Sequence, residues 1–137
     1  MNGGLRRDFA GSVNICLNKY ADFNGRAPRS EYWWWVLFVF LAALAAGIVA
    51  GVLDGLFGGR MFDRLVRLVL FLAFVVPNLA VAVRRLHDLN KSGWWLLLGF
   101  IPAIGGLILL IFACLPGTPG ANRFGADPLA ADTNPAV

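Results

Sequence analysis

Residues 32–53 read YWWWVLFVFLAALAAGIVAGVL, which is 22 consecutive positions without a charged side chain. An α-helix crosses the hydrocarbon core of a bilayer with about 20 predominantly apolar residues. Residues 94–115 form a second uncharged stretch of 22 positions. Only 15% of the 137 residues are charged, whereas soluble domains carry roughly 25%. These features predict an all-α membrane protein of one domain.

A third apolar stretch lies between these two. Residues 68–83 are uncharged, and the helix extends back to Leu65 if Arg67 is included. An arginine near the end of a span can reach the interface, so this extension is acceptable. The alternative for this segment is a re-entrant or tightly packed helix. We expect a membrane bundle at residues 23–116 with three transmembrane helices, at residues 32–53, 65–86 and 94–115.

The two ends of the chain differ from the bundle in pattern. Apolar residues at positions 5, 9, 13, 16, 17 and 20 recur at helical spacing. This pattern predicts an amphipathic helix within residues 1–22 that lies at the membrane interface, or else packs on a soluble partner. It lacks the apolar core of a cleavable signal peptide, so we expect none. Prolines interrupt residues 117–137, which predicts a mostly irregular and partly disordered tail.

The basic residues predict the orientation of the bundle. With three spans, the N-terminal segment and the second loop share one side and carry eight basic residues, against four for the first loop and the tail. The positive-inside rule therefore predicts a cytoplasmic N-terminus and an extracytoplasmic C-terminus. Cys16 and Cys114 then lie on opposite sides, which excludes a disulfide between them and favours a role as apolar filling.

Polar side chains are concentrated where the predicted spans meet the cytoplasmic surface. We define the polar collar as Arg26, Arg29, Glu31, Arg84, Arg85, His87, Asp88 and Lys91. Arg84 and Asp88 are four residues apart on a helix and should pair. Glu31 is expected at similar depth and could pair with Arg84 or Arg85. Basic clusters at this level attract anionic lipid headgroups, although ordinary retention of positive charge on the cytoplasmic side, which needs no specific ligand, is the favoured explanation.

Two further patterns concern packing at the membrane. Aromatic residues near the ends of the spans are typical of an interfacial belt, with ligand stacking as the weaker alternative; they are Trp33, Trp34, Trp35, Trp94 and Trp95. Small residues at every fourth position of the first span allow another helix to approach closely; they are Ala43, Gly47 and Gly51. The partner is either another span or a second copy of the chain.

Prolines and one amide interrupt the apolar spans. Pro77 lies within the second span and Pro102 within the third, and each should kink its helix. Asn78 is polar at mid-depth and should face the interior of the bundle. Two kinked spans suggest either a shaped interior or merely irregular packing.

The sequence offers little for catalysis. His87 beside Asp88 invites a general-base interpretation, but adjacent helical residues point about 100° apart. No serine or cysteine stands in a recognisable nucleophile motif. One histidine and two separated cysteines are too few for a zinc site. We therefore expect no enzyme activity, no metal and no cofactor. Because the unperturbed pKa of histidine is about 6.5, pH sensing by His87 is a further hypothesis.

Three sequence motifs resemble those of a known protein family. The first is KYADFNGRA at residues 19–27 with Arg29, Glu31, Tyr32 and Trp33. The second is RRLHD at residues 84–88 with KSGWW at residues 91–95. The third is PGT at residues 116–118, followed by the tail motif Asn122, Arg123, Phe124 and Gly125 with Asp127 and Pro128. Together they resemble the DUF805 family of small bacterial inner-membrane proteins, over residues 18–128.

The resemblance implies a multispanning inner-membrane protein and brings no reaction, substrate or cofactor. Pro28 departs from the family pattern, which usually has a basic residue there. The predicted topology separates the tail motif from the other two motifs. If the tail instead folds back, all three motifs would form one site.

These observations lead to one leading functional prediction. It is a non-enzymatic membrane scaffold or accessory protein that binds anionic lipid or a membrane-protein partner through the polar collar. The alternative is an oligomeric transport or channel component assembled through the small-residue stripe. A membrane enzyme acting on lipid comes third. Nothing in the sequence suggests binding of nucleic acid.

Overall fold

The computed structural model describes residues 8–129; the regular secondary structure in that range is helical, with a single bridge between Asn122 and Gly125. Helix α1 spans Phe9–Asn18, α2 spans Arg29–Phe57, α3 spans Met61–Asp88 and α4 spans Ile104–Cys114. A 3-10 helix at Gly93–Phe100 lies between α3 and α4. The prediction of an all-α protein is confirmed for these residues.

Helix α1 corresponds to the predicted amphipathic helix, whose first seven residues lie outside the described range. The carboxylate of Asp8 caps its N-terminus by accepting a hydrogen bond from the amide of Gly11 at 2.8 Å. Its buried side chains include Cys16, which packs in a cluster with Trp35 and Val81. The face that was expected to rest on lipid therefore packs in part on the protein's own bundle, because α2 and α3 offer it an apolar surface.

Helices α2 and α3 form a long antiparallel hairpin. Gly58 and Gly59 adopt positive φ angles of 77° and 101° at the turn, a conformation that favours glycine. The carboxylate of Asp54 then caps α3 by accepting hydrogen bonds from the amides of Phe62 and Asp63. Among the described residues, α2 and α3 are the two helices long and apolar enough to cross a membrane.

Helix α3 continues without a break through Pro77. Proline has no N–H, so the carbonyl four residues earlier, that of Ala73, loses its partner in the helix. The hydroxyl of Tyr20 donates to this carbonyl. The amide oxygen of Asn78 accepts from the indole N–H of Trp35 at 2.8 Å, as expected for a polar residue that faces another helix.

The segment at residues 94–115, predicted as a third span, is not one continuous helix. The segment divides at residues 101–103 into the 3-10 helix and α4, which pack against each other. Helix α4 has 11 residues, or about 16 Å, whereas the hydrocarbon core measures about 30 Å. The chain reverses beside Pro102, where Ala103 has a φ of 63°. We call this segment the re-entrant hairpin.

The re-entrant hairpin begins and ends at the same end of the bundle. The Trp95 and Phe112 rings pack edge to face with centroids 5.8 Å apart. The ammonium of Lys91 lies over both rings. Because the chain returns, residues 116–129 lie at the end that holds the start of α2 and the end of α3. Cys16 and Cys114, both free thiols, also lie near this end.

The expected placement of the tail across the bundle from the N-terminal segment is therefore wrong for residues 117–129. Residues 117–129 of the tail also make specific contacts with the rest of the protein. Residues 130–137, to which the prediction of disorder also applied, lie outside the described range.

Candidate functional site

The linker between α1 and α2 carries the first motif to the end of α3. The amide of Ala27 donates to the carbonyl of Arg84 at 2.9 Å, which fixes the linker against the last turns of α3. Gly25 turns the chain with a φ of 88°. Its carbonyl lies 3.0 Å from Nδ1 of His87. The first two motifs therefore meet directly.

Arg84 and Glu31 form an ion pair between α3 and α2. Their side chains are 0% and 1% exposed. The pairing of Glu31 with an arginine of α3 is thus confirmed, with Arg84 as that arginine. The thiol of Cys16 lies 3.8 Å from a carboxylate oxygen of Glu31. Burial, the charge of Glu31 and its hydrogen bond raise the pKa of the Cys16 thiol to about 12, against the opposing effect of Arg84.

Asp88 joins a second pair of arginines. One carboxylate oxygen accepts from Nε of Arg26 at 3.0 Å, and the other accepts from Nη1 of Arg85 at 2.7 Å. All three side chains are at most 3% exposed. The predicted pairing of Asp88 with Arg84 is wrong, because the linker inserts Arg26 and α3 offers Arg85 three residues away.

We call these five side chains the arginine–carboxylate network: Arg26, Glu31, Arg84, Arg85 and Asp88. Buried charges are costly unless each is paired and hydrogen-bonded. Here three guanidinium groups face two carboxylates, and backbone carbonyls supply further acceptors. The network connects the linker to α2, α3 and the tail.

The tail docks on the same network. Arg26 donates to the carbonyls of Gly120 at 2.6 Å and Thr118 at 2.5 Å. The amide of Thr118 donates to the carbonyl of Asp88 at 2.7 Å. Gly117 packs so closely on the Asp88 carboxylate that a Cβ atom would overlap it. The residues after Pro116 are therefore held in place by buried charges of the other two motifs.

The tail motif closes over His87. The imidazole stacks on the Phe124 ring with centroids 3.9 Å apart and planes 3° apart. The side-chain amide of Asn122 donates to the carbonyl of His87 at 2.9 Å. Arg123 donates to the carbonyl of Asn90 at 3.2 Å. All three motifs thus form one site, which was the alternative to the predicted topology.

Two arginines hold the end of the re-entrant hairpin. The last carbonyls of a helix have no partner within it and carry partial negative charge. Arg85 donates to the carbonyls of Ala113 and Leu115. Arg29 donates to that of Cys114 at 3.2 Å, and the indole N–H of Trp33 also reaches Ala113, at 3.0 Å. These contacts explain why a helix of only 11 residues ends beside the network.

His87 and Asp88 do not act on each other in this arrangement. The imidazole faces Phe124 and the Gly25 carbonyl, whereas both carboxylate oxygens of Asp88 face arginines. No group of three or more potential metal-ligating side chains occurs within residues 8–129. The charged side chains at this site hold the linker, α2, α3 and the tail together through ion pairs and hydrogen bonds.

The remaining predicted residues lie outside the network. Trp34, Trp94 and Trp95 are exposed, as an interfacial belt requires, but Trp35 is 1% exposed and belongs to the core. Within the part of the chain that the structure describes, a Cβ atom added to Gly47 or Gly51 would meet no atom outside the backbone of its own helix within 4 Å. Ala43 instead lines a shallow depression against α3.

Sequence reasoning missed four participants: Cys16, Tyr20, Gly117 and Thr118. Cys16 packs in the apolar core, as predicted, but its contact with Glu31 was not predicted. For Tyr20 the available signal was Pro77, which leaves a carbonyl of α3 in need of a donor. For Gly117 and Thr118 the signal was their place in the third motif.

Two depressions flank the network and share Arg29 and Ser30. The first is a cavity of about 340 Å³ between the start of α2 and the tail, with a mixed lining of prolines and polar side chains that include Asp88, Thr118 and Asp127. Hydrogen bonds from the amides of Leu129 and Gly120 hold the pKa of Asp127 below its usual value. The second is an open groove of about 550 Å³. Its lining is mainly apolar and comprises Arg29, Ser30, Trp33, Trp34, Leu37 and Cys114.

Comparison with known proteins gives a family and no function. The family model for DUF805, described as a protein of unknown function, matches residues 20–126. Inner membrane protein YhaI of Escherichia coli is 43% identical over 112 residues, covering 82% of this chain and 90% of its own. Inner membrane protein YhaH of Escherichia coli is 41% identical, with coverages of 82% and 91%. No solved structure shows a significant match. The chain therefore belongs to the DUF805 family of membrane proteins.

Proposed function

We propose that the protein is a non-enzymatic scaffold or accessory protein of the bacterial inner membrane, and that its polar end binds anionic lipid headgroups. The observation that carries the proposal is that the charges at this end of the bundle fall into two sets. The inner set is the arginine–carboxylate network, which is at most 5% exposed and holds the chain together. The outer cations lie around it and remain accessible; they are Arg29 and Lys91 of the polar collar and Arg123 of the tail motif.

The balance of charge favours an anionic ligand. The network contains one more guanidinium than carboxylate, and the outer cations add to that excess. A positively charged surface at the level of the headgroups attracts anionic lipids, and guanidinium groups bind phosphate through paired hydrogen bonds. A membrane-protein partner with an acidic surface is the other ligand that this charge would suit.

The same charges support a cytoplasmic position for the polar end. Of the basic residues that the structure describes, at least six lie at this end of the bundle: Arg26, Arg29, Arg84, Arg85, Lys91 and Arg123. Three lie at the opposite end, near the turn between α2 and α3: Arg60, Arg64 and Arg67. The positive-inside rule then favours cytoplasmic positions for both the linker and the tail.

Native mass spectrometry of the detergent-purified chain tests the proposal, with phosphatidylglycerol and phosphatidylethanolamine added in turn. Each basic residue near an anionic surface contributes roughly 1 kcal/mol. The triple variant R29Q/K91Q/R123Q should therefore bind phosphatidylglycerol about 100-fold more weakly. The matched control R60Q/R64Q/R67Q removes the same charge from the opposite end and should bind nearly as well as the wild type. Equal affinities in the two variants would contradict the proposal.

An oligomeric transport or channel component is the second candidate, and one observation favours it. Gly47 and Gly51 present a smooth face of α2 that no other element within residues 8–129 covers. Such a face allows close packing of a second helix. The mass of the purified protein tests this candidate, because a closed oligomer that G47L/G51L disperses would support it and a monomer would exclude it.

A membrane enzyme acting on lipid is the third candidate. His87 is the residue on which it would depend, and turnover of a lipid that His87→Ala abolishes would overturn the leading proposal.

A further inference from the structure

The start of α2 lies between a space suited to a headgroup and a space suited to an acyl chain. The cavity that contains the polar side chains of Thr118 and Asp127 opens on one side of Arg29 and Ser30, and the apolar groove opens on the other side. The groove continues past Trp33 and Trp34 to Leu37, two helical turns beyond Ser30. A phospholipid has the same succession of parts, with a phosphate between a polar headgroup and its chains.

The charges at this junction favour a phosphate. Arg29 is exposed and donates to the carbonyl of Cys114. The Asp88 carboxylate, which also lines the cavity, is already paired with Arg26 and Arg85. Asp127 lies on the tail side, where two backbone amides hold its carboxylate. A phosphate between these groups would therefore be drawn to Arg29 and away from Asp127.

The backbone supports the same position. Pro28 is the N-cap residue of α2 and makes no side-chain cap hydrogen bond. The N-terminus of a helix attracts anions through its N–H groups and its dipole. The hydroxyl of Ser30 adds a donor on the same turn. Because α2 is one of the two helices able to cross the membrane, its start lies where lipid phosphates lie.

We infer that the protein holds one molecule of an anionic phospholipid at this junction. Its phosphate binds Arg29 and Ser30, its polar headgroup enters the cavity beside Thr118, and one acyl chain lies along Trp33, Trp34 and Leu37. The inference rests on the proposed function. It replaces a basic surface that attracts anionic lipids in general with one defined binding site for a single phospholipid.

Two substitutions probe the two halves of the site, and each has a matched control. R29Q removes the cation at the phosphate, with R64Q as the control. L37W fills the groove, with L44W as the control, because Leu44 is exposed on the same helix outside the groove. Native mass spectrometry with phosphatidylglycerol should show one tightly retained lipid in the wild type. R29Q and L37W should each bind it at least about tenfold more weakly, and both controls should match the wild type.

The rate at which Cys114 is alkylated in the wild-type protein independently tests whether lipid occupies the groove. Cys114 is exposed and lines the groove, whereas Cys16 is buried and its thiol has a pKa of about 12. Maleimide should therefore modify Cys114 selectively. Saturating phosphatidylglycerol should slow that reaction, and phosphatidylethanolamine should slow it less.

The outcomes separate this inference from the proposed function. If binding is lost in K91Q/R123Q but unchanged in R29Q and L37W, the defined binding site is wrong and the basic surface stands. If the wild type does not prefer phosphatidylglycerol to phosphatidylethanolamine, both are wrong. Should a variant fail to fold, full-rate alkylation of Cys114 under saturating phosphatidylglycerol would by itself contradict the site.

Discussion

Asp88 accepts hydrogen bonds from two arginines that come from different segments. Replacing it with asparagine would remove the carboxylate that pairs with both of these buried guanidinium groups. Breaking a buried ion pair in this way costs about 3–5 kcal/mol. The D88N variant should therefore lower the free energy of unfolding by about that amount, measured by thermal unfolding in detergent.

Asp63 supplies the control for that measurement. It pairs with Arg67 at 3.0 Å near the opposite end of the bundle, where the arginine side chain is 78% exposed. Exposed pairs contribute at most about 1 kcal/mol. D63N should be nearly as stable as the wild type, and a D88N variant equal to D63N would contradict the role assigned to the network.

Cys16 predicts a pH dependence of stability. Its thiol has a pKa of about 12 in the folded protein against an ordinary value of 9.0, because burial and Glu31 disfavour the thiolate. The folded state therefore keeps the proton more tightly, so this contribution is complete below pH 9.0 and is lost as the pH rises toward about 12. Relative to C16A, the wild type should lose thermal stability across that window. Parallel stability curves for the two proteins would contradict this reading.

Helix α3 depends on a hydrogen bond from outside the helix. Tyr20 donates to the carbonyl that Pro77 leaves without a partner. Y20F should cost about 1 kcal/mol of stability, the net contribution of a typical hydrogen bond. In a P77A background the helix supplies its own donor, so Y20F should cost much less. A double-mutant cycle measures the difference. If Y20F costs the same in both backgrounds, the hydroxyl does not replace the missing N–H.

The re-entrant hairpin can be tested with two adjacent glycines. A Cβ atom on Gly105 would overlap the backbone carbonyl of Leu98, whereas one on Gly106 would meet nothing within 4 Å. G105A should therefore separate the 3-10 helix from α4 and cost about 1–3 kcal/mol, while G106A should be neutral or slightly stabilising. Thermal unfolding measures the stabilities of the two variants. Equal stabilities would argue for a continuous third span.

Hydrophobic length alone predicted α2 and α3 well and failed for the re-entrant hairpin. The predicted spans at residues 32–53 and 65–86 fall inside Arg29–Phe57 and Met61–Asp88. Residues 94–115 have the same length and polarity as a span, so neither property separates the two structures. The information lay in Pro102 and Gly105, which permit a reversal that composition does not record.

The ion pairs of the site were only partly predictable from the sequence. The pairing of Glu31 with α3 followed from their common depth, and it is confirmed. The pairing of Asp88 with Arg84 followed from helical spacing, which takes no account of Arg26, a residue 62 positions away in sequence. Short-range rules cannot anticipate an arginine that the linker brings in from another segment.

The described residues form two helices long and apolar enough to cross a membrane, where the sequence predicted three. The linker, the end of α3 and the described tail lie at one end of this pair, with the turn at Gly58 and Gly59 at the other end. The tail motif was assigned to the opposite side because the positive-inside count assumed three crossings. Its contacts with His87 and Arg26 require it to share their side.

Cysteine accessibility in intact cells tests this topology directly. With Cys16 and Cys114 replaced by alanine, single cysteines are introduced at Asn24 in the linker, at Gly59 in the turn and at Ala126 in the tail. A membrane-impermeant maleimide should label the cysteine at position 59 and leave those at positions 24 and 126 unlabelled until the membrane is opened. Labelling of position 126 together with position 59 would contradict the re-entrant hairpin and the single site built from the three motifs.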